Sequence, residues 1–133
     1  MQLTKKLLVP LSALCASVSA DAVSPMTTAE FQIEDPWTHK MTPTLQARLD
    51  QRVCLSVHAR LVPDGAHTVR LTIYDGLGNE VHKIISRWVV PGEIRGGLLC
   101  HGFDVDHDAP GTWWYVVELD DQPLISTSIE IRP

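Results

Sequence analysis

Between residues 53 and 131 the side chains alternate apolar and polar with a period of two, interrupted by short clusters of Pro, Gly, Asp and Asn. A period of two sends successive side chains to opposite faces of an extended backbone, so the repeat demands half-buried strands and excludes a helical fold. Val53, Leu55, Val57, Ala59 and Leu61 share one face, while Ser56, His58 and Arg60 share the other. Pro63-Asp64-Gly65 supplies turn chemistry, and Val69, Leu71 and Ile73 then alternate with Thr68, Arg70 and Thr72; these two segments are expected to form a hairpin. A third strand is expected through Val81 to Val90, after the glycines at 76 and 78 and before Pro91-Gly92. At the C-terminus Trp113, Tyr115, Val117 and Leu119 alternate with Thr112, Trp114 and Glu118. Asp120-Asp121-Gln122-Pro123 turns the chain, and Ile125, Thr127, Ile129 and Ile131 return as the second arm of a hairpin.

The remaining segments are less regular. Gly96, Gly97 and Gly102 weaken a strand over Glu93 to Phe103 and mark a bulge or bend there. Phe31-Gln32-Ile33 reads as a short first strand ended by Asp35-Pro36, since the proline nitrogen cannot donate. Trp37 to Arg52 is then a connector in which Leu45 to Leu49 could make one helical turn, and Trp37 and Trp88 are expected to cover core or edge. Six or seven short strands, at turn spacings of roughly 8–12 residues, predict an all-β antiparallel sandwich of immunoglobulin-like size over residues 30–133.

The first twenty residues have a different character. Lys5 and Lys6 precede a largely apolar run from Leu7 to Val18, and Val18-Ser19-Ala20 offers small residues for cleavage, the pattern of a secretory signal peptide. The run is shorter than the ~20 residues that span a bilayer and contains Pro10. Ser12-Ala13-Leu14 before Cys15 does not match a lipidation site. Residues 21–29 form a small polar lead-in. The expected location is periplasmic or secreted.

Charge bears on the partner. The 133 residues hold 11 Lys and Arg against 16 Asp and Glu, a net charge of −5. Cleavage after Ala20 removes Lys5 and Lys6 but no acid, leaving 9 bases against 16 acids, or −7. Such a balance argues against a surface that neutralises nucleic-acid phosphates. It also leaves two cysteines, Cys54 and Cys100, in an oxidising compartment where a disulfide is the default. Cys54 falls in parity with the polar face of its strand. Either the bridge lies outside the core, or a bulge between Val53 and Leu55 turns the thiol inward.

No catalytic constellation stands out. There is no nucleophile elbow, Ser56 and His58 sit about 7 Å apart on one strand face, and Gly76-Leu77-Gly78 precedes no helix. The six histidines are distributed over different segments and are expected mostly at the surface. The densest ligand cluster is the 101–108 segment, where Asp104, Asp106 and Asp108 have an alternating spacing suited to calcium and His101 and His107 could serve zinc or copper. Ala109 and Tyr115 stand where a calcium loop of that spacing requires glycine and glutamate. Adjacent Trp113 and Trp114 must face opposite ways in a strand. Trp113 belongs to the core parity, which leaves Trp114, with Glu118, as a candidate binding pair.

Several short motifs lie along the chain: Thr42-Pro43, Ala47-Arg48-Leu49, Ser86-Arg87-Trp88, Gly102-Phe103-Asp104, Pro110-Gly111-Thr112-Trp113 and the Leu119-Asp120-Asp121 turn. In this the chain resembles small exported bacterial β-sandwich domains of unknown function that end in a Pro-Gly-Thr-Trp strand and hairpin. The resemblance implies a fold and an envelope location, and carries over no activity or catalytic residue. The expectation is a non-enzymatic, cofactor-free domain that binds an envelope or extracellular protein through loops or a strand edge, with metal binding at 101–108 as the alternative.

Overall fold

The alternating segments pair into two sheets. A computed structural model describes residues 27–90 and 94–133; the expected signal peptide, residues 21–26 of the lead-in and the Pro91-Gly92 turn lie outside the described residues. Nine strands follow in order: β1 (Thr27–Glu34), β2 (Met41–Pro43), β3 (Gln46–Arg48), β4 (Arg52–Arg60), β5 (Gly65–Tyr74), β6 (Glu80–Val90), β7 (Ile94–His101), β8 (Gly111–Leu119) and β9 (Gln122–Arg132). One sheet has the order β2-β1-β4-β7 and the other β3-β9-β8-β5-β6. Every pairing is antiparallel except β3 with β9, which run parallel from Gln46↔Glu130 to Arg48↔Arg132. Among the described residues no helix is long and apolar enough to cross a membrane.

The C-terminal hairpin forms as its alternation requires, with Trp113↔Ile129 and Tyr115↔Thr127 in register. Four expectations are corrected. The segments 53–61 and 69–73 do not form a hairpin: β4 pairs with β1 and β7, while β5 pairs with β6 and β8 in the other sheet. Leu61 adopts φ 60° and Val62 is buried, so the chain crosses between sheets at a point where two adjacent apolar residues break the alternation. The Leu45 to Leu49 segment makes β3 rather than a helical turn, because β9 offers it an edge on which to pair. The first strand runs over Thr27–Glu34, longer than Phe31 to Ile33, since β4 provides eight partners for it. Trp37 covers nothing and is 89% exposed in the turn after β1, whereas Trp88 is buried as expected.

The core lies between the sheets. Val53, Leu55, Val57 and Ala59 of β4 face Val69, Leu71 and Ile73 of β5 and Trp113, Tyr115 and Val117 of β8, all 0–1% exposed. Each of these side chains larger than Ala59 contributes roughly 1.5–3 kcal/mol by leaving water. Strand β7 runs in unbroken register with β4 from Val53↔His101 to Arg60↔Ile94, so no bulge or bend interrupts it. Gly97 instead makes room: a Cβ there would lie 2.9 Å from Cζ2 of Trp88, so the missing side chain lets the indole of β6 settle against β7.

Cys54 and Cys100 are bonded and stand directly opposite each other on β4 and β7, with Cα atoms 4.0 Å apart. The register of β4 is regular, which rejects the bulge between Val53 and Leu55. The bridge sits on the outer side of the four-stranded sheet, away from the core parity, and Cys54 is still fully buried beneath its neighbours.

Candidate functional site

Strands β8, β5 and β6 lie side by side, and their outward residues form a continuous face. Across it the register aligns Trp114 with Tyr74, Val116 with Thr72, and Glu118 with Arg70. It continues from Thr72 to Lys83, Arg70 to Ile85 and Thr68 to Arg87. Trp114 is 48% exposed, as an outward residue of β8, and Thr72 is buried between Val116 and Lys83. Glu118 is paired within the sheet: its Oε1 accepts from Nε of Arg70 at 2.9 Å, and Nη2 of the same guanidinium donates to Oδ1 of Asp121 at 2.8 Å. Sequence parity put Trp114 and Glu118 on one face, but the partner of Glu118 lies 48 residues away and could not be read locally.

This face ends at β6, which pairs with β5 and with no other described strand. An edge strand presents backbone N–H and C=O groups without ladder partners along its free side. Here the strand is eleven residues long, and Ile85 and Val89 are 64% and 59% exposed. Lys83 and Arg87 alternate with them. The signal was present in the sequence as Val81, Lys83, Ile85, Arg87 and Val89; what was missing was the knowledge that β6 is an edge.

Four of the six histidines are exposed, as expected, whereas His67 is half-buried and His101 is buried. His67 of β5 has Nδ1 2.6 Å from Oδ2 of Asp120 and Nε2 2.6 Å from the carbonyl oxygen of Pro63. Both oxygens only accept, so both ring nitrogens carry protons and the imidazole is a cation. Its pKa is raised, chiefly by the Asp120 carboxylate and then by the Pro63 carbonyl, with burial opposing. Asp120 is shifted down by the same hydrogen bond and by the N–H of Thr68, which donates to its Oδ1 at 2.9 Å. Asp120 and Asp121 occupy the left-handed region at φ 48° and 66°, which shapes the β8–β9 turn to reach β5.

His101 has the opposite character. It ends β7 on the inward parity and is 5% exposed. Nδ1 lies 2.9 Å from the carbonyl oxygen of Gly102, which fixes the proton there, and Nε2 accepts from the Tyr115 hydroxyl at 2.5 Å. Burial is the main cause that lowers its pKa to about 4, and burial also pushes the Tyr115 phenol up. Phe103 and Trp113 pack edge-on and stacked against the imidazole, and His82 of β6 lies 5.6 Å away between ring centres. His101 shares its parity with Leu99, the clue that it is a core residue.

The 101–108 cluster does not assemble as a ligand set. His101 is committed to Tyr115 inside the sandwich. Asp104 accepts from His107 Nδ1 at 2.8 Å and from the N–H of Asp106 at 3.0 Å, and Asp108 Oδ2 accepts from the N–H of Asp104 at 2.7 Å. These bonds hold Asp104 below the ordinary carboxylate range, His107 first among the causes. They close the loop upon itself as a turn. Among the described residues no three His, Cys, Asp or Glu side chains gather to hold a metal ion.

No protein-family model matches the chain, and no curated protein matches its sequence. Solved structures do. An immunoglobulin-like protein from Pseudomonas aeruginosa superposes with a TM-score of 0.50 at 15% identity, over 87% of this chain and all of that one. The fold is immunoglobulin-like. The CARDB domain of a Pyrococcus furiosus protein, solved in complex with di-metal ions, superposes with a TM-score of 0.44 at 10% identity, over 90% of this chain and 99% of that one. In antibody domains a disulfide joins the two sheets; here Cys54 and Cys100 lie in one sheet, and the sheets are held together by side-chain packing.

Proposed function

We propose that this chain is an exported, non-catalytic interaction domain that engages a protein partner along the β6 edge and the adjoining outer face of the five-stranded sheet. The observation that carries this reading is the side of β6 on which no described strand pairs, an eleven-residue edge with Ile85 and Val89 exposed. Long, flat, apolar edges are usually covered, because their unpaired backbone groups recruit other chains. Next to it Trp114 supplies an exposed aromatic surface of the kind that anchors interfaces. The apolar run before Val18-Ser19-Ala20 supports export, and the oxidised Cys54–Cys100 pair fits an oxidising compartment.

Site-specific photocrosslinking tests it. A photoreactive amino acid in place of Ile85, in cells that produce the full chain, should yield one discrete crosslinked protein, and the same group at Ser56 on the opposite sheet should not. Equal crosslinking from both positions, or none from Ile85, would overturn the reading.

A further inference from the structure

The inference rests on the reading of β6 as the docking edge and names the chemistry of what docks there. We propose that β6 accepts, as an added strand, an extended segment of another protein in which acidic and apolar residues alternate. The outward stripe of β6 is Val81, Lys83, Ile85, Arg87 and Val89, with no acid among them. It stands on a chain whose net charge is −5. Lys83 reaches Glu80 at 3.6 Å with both side chains nearly half exposed, and Arg87 makes no ion pair among the described residues. The neighbouring cation on this face is differently placed, since Arg70, opposite Ile85, is consumed by Glu118 and Asp121. A basic, apolar stripe that retains its charge on an acidic protein is complementary to an acidic, apolar strand.

Geometry sets the register of that partner. In a β-ladder directly opposite residues share a face, with Cβ atoms about 4.5–5.5 Å apart. Carboxylates two apart in the incoming strand would be too close to match Lys83 and Arg87, which are separated by four residues. The complementary segment therefore carries acids at i and i+4 and an apolar residue at i+2 opposite Ile85. Main-chain hydrogen bonds would supply affinity, and the two charges and the Ile85 contact would supply selectivity. A second copy of this chain is a poorer occupant. Antiparallel pairing about Ile85, the register that overlaps the whole strand, would set Lys83 opposite Arg87 twice, and like charges directly opposite are destabilising.

The test uses the oxidised chain from residue 21 onward and three fluorescent synthetic peptides of β6's length: one with Glu at i and i+4 and Leu or Val between, one with Lys in place of Glu, and one scrambled acidic peptide. Binding is read by anisotropy, and the site by hydrogen-exchange protection of the amides of residues 81–89. The acidic alternating peptide should bind, protect β6, and weaken by about tenfold when Lys83→Glu and Arg87→Glu are combined, the size expected for two exposed charge contacts. Both side chains are exposed, so the variant should melt as the parent does, and Ile85→Ser provides a second, charge-neutral loss of binding. If the lysine peptide protects β6 as well as the acidic one, the partner chemistry is overturned while β6 remains a docking edge. If no peptide protects β6, or if β6 is protected only by concentration-dependent self-association, the edge reading itself and this inference fall together.

Discussion

The two sheets are fastened by different chemistry. The four-stranded sheet carries the Cys54–Cys100 bond across β4 and β7, whereas the five-stranded sheet carries ion pairs: His67 with Asp120, and Arg70 with Glu118 and Asp121. A covalent bond is indifferent to salt and to pH between the carboxylate and amine ranges. Ion pairs are sensitive to both. The difference teaches that one sheet adds a covalent tie to its own ion pair, Arg52 with Glu34, while the other relies on ion pairs alone, and the latter is the sheet that presents the proposed binding edge. Between them sits His101, neutral and buried, which answers acid in the opposite sense to His67.

The comparison can be broken most strongly at the disulfide. Replacing both Cys54 and Cys100 by alanine should cost about 4 kcal/mol, the chain-entropy value for a separation of 46 residues. The loss should be the same at low and high salt in urea unfolding, and a strong salt dependence would contradict a purely covalent fastening.

Acid should act next, through His101. Its pKa falls from 6.5 to about 4 on folding, so the folded state binds fewer protons than the unfolded one between those values. Stability is then complete above 6.5 and declines toward pH 4, by about 3 kcal/mol at 1.36 kcal/mol per unit. His101→Gln should flatten this limb in a pH series of denaturant midpoints. Tyr115→Phe removes the donor to Nε2 and should cost about 1–3 kcal/mol, the range for a buried group left unpaired.

His67 sharpens the contrast with the opposite sign. Its native pKa is raised above 6.5, so its contribution is complete below 6.5 and is lost as pH rises through the raised value. Asp120→Asn should lower stability by about 1 kcal/mol at pH 6 and by less at pH 9. An effect that grows with pH would show that the ring is not a cation. Smallest is Arg70→Ala, whose partly exposed pairs with Glu118 and Asp121 should contribute less than any of these and shrink further in about 1 M salt, while the disulfide effect does not.

Much of the sandwich was legible because burial on one face imposes a period that survives without any knowledge of neighbours. Val53 to Ala59, Val69 to Ile73 and Trp113 to Leu119 all face inward as their parity requires. Which strands pair was less legible. The break in alternation at Leu61-Val62 reads as the end of a strand, and nothing local distinguishes a hairpin from a crossing to the other sheet. Gly97 resembled a bend and is instead a recess for Trp88, a residue nine positions earlier on the opposing sheet. His101 resembled a ligand in a cluster of aspartates, because sequence proximity to Asp104 hid its parity with Leu99.

The amino-acid sequence by itself determined the all-β class, the core parity of each long strand, the C-terminal hairpin and the outward placement of Trp114. These follow from side-chain alternation, which is a property of a single chain segment. The tertiary structure alone decided that Cys54 and Cys100 join two strands of one sheet, that β6 is an edge, and that His67 is cationic while His101 is neutral. Protonation and edge status depend on which atoms stand opposite, and those atoms, Asp120 of the β8–β9 turn for His67 and Tyr115 of β8 for His101, come from segments that meet only when the sheets have formed.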